Sequence, residues 1–272
     1  MDNIFDDYDY DNKYNYSPLH KCKHFSKLMF LIININSIPN GHIVLKNYVL
    51  SNQYEINNKN EYGLTALYIA AMNSNVYGLE TVKLLLYNGA DVNLADINGS
   101  TALMMAALNS NSSSSLETVR LLLENGADVN LTEQYSRTAL MFAAKYSNDS
   151  SSLETVRLLL EKGADINSAN KVGSTALMLA SGLETVRLLL EKGADVNLVD
   201  KYGSTALIEA ALYCNMDGGL EIVKLLLEKG ANIYIINKYN KTFFNYIPIK
   251  YLQECLDIVY QFERQNYVLK NY

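Results

Sequence analysis

Leu116-Glu117-Thr118-Val119-Arg120-Leu121-Leu122-Leu123-Glu124-Asn125-Gly126-Ala127-Asp128 decides the architecture, because the chain writes it repeatedly. The phrase Leu-Glu-Thr-Val-(Lys/Arg)-Leu-Leu-Leu-x-x-Gly-Ala-Asp also begins at Leu79, Leu153 and Leu183, and returns in altered form as Leu220-Glu221-Ile222-Val223-Lys224. Ahead of each copy stands Thr-Ala-Leu, at Thr65, Thr101, Thr138, Thr175 and Thr205. Self-similarity at a period of about 30 to 40 residues means a stack of small units rather than one globular core.

Each unit contains two helices. Thr101-Ala102-Leu103-Met104-Met105-Ala106-Ala107 is short, apolar and rich in good helix formers, and its alanines let a neighbouring helix approach closely. In the second phrase, Leu116, Val119, Leu122 and Leu123 fall on one buried stripe. Glu117 sits in the first turn, where the helix dipole favours negative charge, and reaches Arg120 three residues on. Gly126 stops the helix, because the position after the cap usually needs φ > 0. A polar turn follows, closed by glycine in most units (Gly63, Gly99, Gly173, Gly203), by Ser136 in the third and by Asn240 in the last. The apolar residues recur with the helical period and do not alternate, so the fold is all-α: a solenoid of helix–loop–helix units joined by hairpin-like loops.

These phrases closely resemble the ankyrin repeat. Gly-x-Thr-Ala-Leu-x-x-Ala-Ala, then Leu-Glu-(Thr/Ile)-Val-(Lys/Arg)-Leu-Leu-Leu-x-x-Gly-Ala-Asp-(Val/Ile)-Asn, covers residues 61 to about 237 in five copies. Ser17-Pro18-Leu19-His20 looks like a worn opening, and Val44 to Leu50 like a worn second helix. The chain departs from the family at Ala66, Ala102, Ala139, Ala176 and Ala206, where proline is usual. The long serine and asparagine loops, with abundant Asn, Tyr, Ile and Lys, resemble the ankyrin-repeat proteins of giant DNA viruses such as mimivirus. Amoeba-associated intracellular bacteria are the alternative source.

The spacing is uneven. Gly89 to Gly126, Gly126 to Gly163 and Gly193 to Gly230 are each 37 residues, whereas Gly163 to Gly193 is 30. The extra residues lie between the two helices, at Asn109 to Ser115 and Tyr146 to Ser152, and the serine run Ser112 to Ser115 reads as a tolerated flexible loop. In the fourth unit Ala180-Ser181-Gly182 runs almost straight into Leu183. A notch or kink is expected there.

Composition narrows the function classes. A net charge of −6 and a pI near 5.2 leave no basic stripe for nucleic acid. Three scattered cysteines, Cys22, Cys214 and Cys255, suit a reducing compartment. The acidic N-terminus lacks the basic region of a signal peptide, and the strongest apolar run, Leu28 to Ile35, is too short to span a bilayer. The expectation is an intracellular chain, in a host cytoplasm, with nucleus or virion as further locations and no membrane contact.

Four segments are expected: a disordered acidic tail at 1–16, a degenerate N-terminal repeat at 17–59, five ankyrin-like repeats at 60–237, and a partial repeat with a capping helix at 238–272. In that last helix Leu252, Cys255, Leu256 and Val259 share one face. His20-Lys21-Cys22-Lys23-His24 packs three ligand types together, but its spacing is unlike structural zinc patterns and no second ligand pair follows. No histidine lies within the five repeats, the glycines sit at fixed repeat positions, and Asp91, Asp128, Asp165 and Asp195 recur once per repeat as structural residues do. No catalytic residue, cofactor or metal is therefore expected.

The resemblance implies that a partner meets the hairpin tips and the exposed side of the first helices. Carried onto this chain, the tip positions are Tyr62, Leu64, Ile97, Asn98, Gln134, Tyr135, Arg137, Lys171, Lys201 and Tyr202. Tyrosine on a rigid scaffold is a favoured interface anchor. A tip tyrosine also suits packing on the next hairpin, and the sequence leaves both roles open. The third tip, with Ser136 between Tyr135 and Arg137, is the expected centre, strained or differently shaped. The function read here is a non-enzymatic scaffold for a protein partner such as a host factor, with a monomer favoured. The alternatives are a structural or self-associating particle component, or a ubiquitin-ligase adaptor acting through the C-terminal region.

Overall fold

A computed structural model describes residues 26–73, 76–109, 113–146, 150–214 and 218–270. Two helices come first, α1 (Lys27–Ile33) and α2 (Gly41–Ser51). Five pairs follow: α3 (Ala66–Met72) with α4 (Val76–Tyr87), α5 (Ala102–Leu108) with α6 (Ser113–Glu124), α7 (Ala139–Lys145) with α8 (Ser150–Glu161), α9 (Ala176–Leu179) with α10 (Leu183–Glu191), and α11 (Ala206–Leu212) with α12 (Gly219–Glu228). A long helix, α13 (Ile249–Lys270), comes last. Among the described residues, extended pairing is limited to two isolated bridges, Ala95 with Thr101 and Ala169 with Thr175.

Each first helix starts at the threonine of Thr-Ala-Leu. That threonine has extended backbone, and its hydroxyl accepts from the N–H three residues on at 3.1 to 3.4 Å. A side-chain cap of this kind satisfies one of the free donors at the helix start. The second helices end as the glycine requires. Gly126 has φ 86°, its N–H donates to the carbonyl of Leu123, and that of Ala127 donates to Leu122 at 3.0 Å. This is the paired closure that uses up the last carbonyls of a helix.

The helices form two layers. First helices stack α3–α5–α7–α9–α11 and second helices stack α4–α6–α8–α10–α12. The alanines of the first layer, such as Ala70, Ala106, Ala107, Ala143 and Ala144, are fully buried, as are Val82, Val119, Val156, Val186 and Val223 of the second. A third device holds the register. Asn93 donates its side-chain amide to Gly126 O and accepts from Asp128 N at 2.8 Å, and Asn57, Asn130 and Asn197 do the same for their next units. Asn167 accepts from Asp195 N in the same way. Asp91, Asp128, Asp165 and Asp195 each accept the N–H two residues ahead, so these recurring carboxylates hold the turn.

Two details depart from the sequence reading. Ser113–Ser115 and Ser150–Ser152, assigned above to loops, form the first turns of α6 and α8. Serine is tolerated there because first-turn N–H groups have no intrahelical acceptor to lose. The remainder of those loops, 110–112 and 147–149, lies outside the described residues. In the N-terminal unit the apolar run is α1 and the turn after it, buried through Leu28, Met29, Leu31, Ile32 and Ile35 and packed on α3. Ser26 caps α1 through Met29 N at 3.3 Å, so Ser26-Lys27-Leu28 stands where later units have Thr-Ala-Leu. Residues 1–16, Ser17–His20 and the His20–His24 cluster lie outside the described residues.

The fourth unit is cut back at Ser181-Gly182. Its first helix has four residues where α5, α7 and α11 have seven. The freed segment hooks onto the end of α7, with Ser181 Oγ donating to Lys145 O at 2.9 Å. Met178, Leu179 and Ala180 are half-buried, whereas Met141, Phe142 and Ala143 at the matching positions are buried. At the C-terminal end a 3-10 turn, Phe243–Asn245, stands where another first helix would begin, and α13 lies on α12 with Cys255 fully buried. Leu252 and Val259 pack against the core, and Leu256 is half-buried. Lys224 of α12 pairs with Glu254 of α13 at 2.9 Å.

Candidate protein-interaction surface

Every tip is held by one side chain placed two residues before the tyrosine position. Asn60, Asp96, Glu133, Asn170, Asp200 and Asn237 each accept from the N–H groups two and four residues ahead, all at 2.8 to 3.1 Å. One oxygen thereby closes the whole turn. Sequence reasoning missed these residues, although the recurring Asn or Asp just before the tip was the available signal. Burial pushes the Asp96 carboxyl up, against the lowering effect of the Ser100 and Asn98 N–H bonds. In the third unit the longer Glu133 serves instead. Its side chain is completely buried, and Oε1 also accepts from Arg137 Nε at 3.1 Å.

The tips are joined to one another by backbone. Ile97 N donates to Tyr62 O, Gln134 N to Asn98 O, Lys171 N to Tyr135 O, Lys201 N to Val172 O and Lys238 N to Tyr202 O, at 2.7 to 3.0 Å. This brings eight of the ten tip residues named from the sequence into one row, and Leu64 and Arg137 join it through the Asn60 and Glu133 locks. Tyr62 (45% exposed), Ile97 (67%), Gln134, Lys171 and Lys201 are exposed, whereas Leu64, Asn98, Tyr135, Arg137 and Tyr202 are half-buried. Close approach demands glycine on this row: a Cβ on Gly63 would stand 2.7 Å from Ile97 N, and one on Gly173 2.9 Å from the Asp200 Cα.

Two of the tip tyrosines pack as well as face outward. The Arg137 guanidinium lies 5.4 Å from the Tyr135 ring and 4.7 Å from Phe142. Tyr202 has Lys201 at 4.9 Å and Lys238 of the next tip at 3.5 Å. Such cation–π contacts contribute about 0.5–1 kcal/mol at exposed sites. The third tip is strained rather than reshaped. Ser136 has φ 58°, and its N–H donates to Glu133 O at 2.7 Å just as Gly99 N donates to Asp96 O at 3.0 Å. The cost of a non-glycine residue in that region is about 1–2 kcal/mol.

The first helices are less open than expected. Ile69, Met105 and Phe142 occupy one position in units one to three, and all are buried. Leu179 and Glu209 hold the same position in units four and five, and both are half-buried. The open stretch of this face therefore lies beside the cut-back unit.

Among the described residues, no group of three or more His, Cys, Asp or Glu is placed to hold a metal, and no helix is long and apolar enough to cross a membrane. Burial pushes the Cys255 thiol up to about 11 and that of Cys214 upward as well, so neither is a ready nucleophile.

The likeness to known proteins agrees with this architecture. A family model described as ankyrin repeats in three copies matches residues 32–133, 75–170 and 140–237. Three ankyrin repeat proteins of Acanthamoeba polyphaga mimivirus are 47% identical over 100 residues, 44% over 99 and 37% over 110. Each alignment covers 35–36% of this chain but only 17–18% of the relative, so the chain matches about a sixth of the length of those curated relatives. These matches together span residues 32–237, well over half of the chain, and the chain belongs to the ankyrin-repeat family.

Proposed function

We propose that this chain is a non-enzymatic scaffold that binds a protein partner along its hairpin tips and the open part of its first-helix face. Ankyrin repeats generally serve protein–protein interaction. The observation that carries the reading here is the tip row, where backbone bonds and side-chain locks, buried at Asp96 and Glu133, fix ten residues that include exposed Tyr62 and Ile97. Rigid display of aromatic groups lowers the ordering cost of binding. A net charge of −6 disfavours nucleic acid as the partner. The partner is a factor of a host cell, met in an intracellular, reducing compartment by a monomeric chain.

Affinity purification from an Acanthamoeba lysate with mass spectrometry tests this reading, using the native chain and a Tyr62→Ala/Tyr135→Ala/Tyr202→Ala triple variant. The tip ladder uses backbone atoms, so the variant keeps its helicity by circular dichroism. A protein captured by the native chain and lost from the folded variant supports the reading. Identical captures, or none with either chain, contradict it.

A further inference from the structure

Glu209 is the one charged residue at a position that is apolar in the other four units, as Ile69, Met105, Phe142 and Leu179. Its counterpart in the packed neighbour α9 is Leu179, the last residue of that helix before the cut-back turn at 180–182. The carboxylate is only partly solvated. Ser204 Oγ donates to Oε1 at 2.6 Å, and no described lysine or arginine forms an ion pair with it. Lys145, at the end of α7, holds its ammonium 5.1 Å from the Tyr146 ring instead. Burial pushes the Glu209 carboxyl up and the charge of Asp200 adds to that, so a second carboxylate lies near this one. Beside it lie the half-exposed Met178, Leu179 and Ala180, and Tyr213 stands one helical turn beyond at 50% exposure.

A partly desolvated carboxylate beside aliphatic and aromatic surface matches one kind of side chain. Arginine has an apolar stem that lies along such surface, a planar fork that pairs with a carboxylate and a face that stacks on tyrosine. Lysine lacks the fork and the stacking face. We infer that the first-helix face at the border of the short fourth unit receives an arginine of a partner polypeptide, its guanidinium on Glu209 and its stem along Met178 and Leu179. The acidic chain steers a basic segment toward this corner. This inference rests on the reading of the chain as a protein-binding scaffold and adds the chemistry of one contact.

The test is selection of random dodecapeptides on phage against the full native chain, followed by binding isotherms of the selected peptides. Three chains are compared: native, Glu209→Gln and the Tyr62/Tyr135/Tyr202→Ala triple variant. Glu209→Gln keeps the side-chain shape and removes a partly buried charge, and its fold is checked by circular dichroism and thermal midpoint. The expected result is that selected peptides share an arginine and bind Glu209→Gln about ten- to a hundred-fold more weakly, as loss of one member of a partly desolvated charge pair predicts. Replacing that arginine by lysine weakens binding by a smaller factor. Peptides without a basic residue, or peptides that bind native and Glu209→Gln chains equally, overturn the inference. If such peptides instead lose binding to the tyrosine variant, the scaffold reading stands and only the arginine assignment falls.

Discussion

The third and fourth units share a hairpin edge and differ by seven residues at the opposite edge. At the hairpin edge the backbone ladder is unchanged: Lys171 N reaches Tyr135 O and Lys201 N reaches Val172 O, both at 2.8 Å. At the other edge α7 has seven residues and α9 has four. The comparison teaches that the repeat's register is set by tips, caps and second helices, while the turn between its helices is free to vary. What varies there alters the surface. Met141 and Phe142 are buried, while Met178 and Leu179 are half-exposed with Glu209 beside them.

The largest effect should separate the two units directly. Met141→Ala opens a cavity in the stack and should cost about 2–5 kcal/mol in chemical denaturation, whereas Met178→Ala, at the matching half-exposed position, should cost less than half as much. Equal losses would remove the distinction between closed and open faces.

Next comes the shared hairpin edge. Gly173 has φ 88°, and a Cβ there would crowd Asp200, so Gly173→Ala should lower stability by roughly 1–3 kcal/mol. Ser136→Gly should do the reverse, raising stability by up to about 1 kcal/mol, since Ser136 already sits at φ 58°. Thermal midpoints of both variants measure this contrast.

A smaller effect is expected in pH dependence. Burial raises the Glu209 carboxyl in the folded chain, so the native state binds the extra proton and stability falls as pH rises from the ordinary glutamate range through the raised value. Glu209→Gln should flatten that part of a stability-against-pH curve, and an unchanged slope would mean that Glu209 is well solvated. Smallest of all is the exposed Glu154–Arg157 pair on α8, 3.3 Å apart. Glu154→Gln should alter stability by no more than about 0.5 kcal/mol.

Much of this fold was legible because repetition multiplies a weak local signal. One Leu-Glu-Thr-Val phrase marks an amphipathic helix, and four in register with a fifth, altered copy leave a stack as the only way to bury every stripe. Glycine punctuation foretold the positive φ at Gly126, and the missing residues around Ser181 foretold the cut-back unit. The capping role of Thr101 and its equivalents was equally present in the letters but needs the N–H three residues on to be recognised. The ten tip residues could be named from the sequence, yet not what holds them. The locks at Asn60, Asp96 and Glu133 act through backbone N–H groups that carry no residue label. Glu209 was passed over because its meaning depends on an adjacent unit that is short, a relation between two repeats rather than within one.

Hydroxyl-radical footprinting of the complex with the partner captured from amoebal lysate tests the central claim most directly, because tyrosine oxidation reads side-chain exposure residue by residue. Tyr62, Ile97 and Tyr202 should lose reactivity on binding, while Tyr87, 90% exposed at the end of the second helix α4, should keep it. Protection of Tyr87 with the tip residues unchanged would contradict the account and move the interface to the second-helix layer.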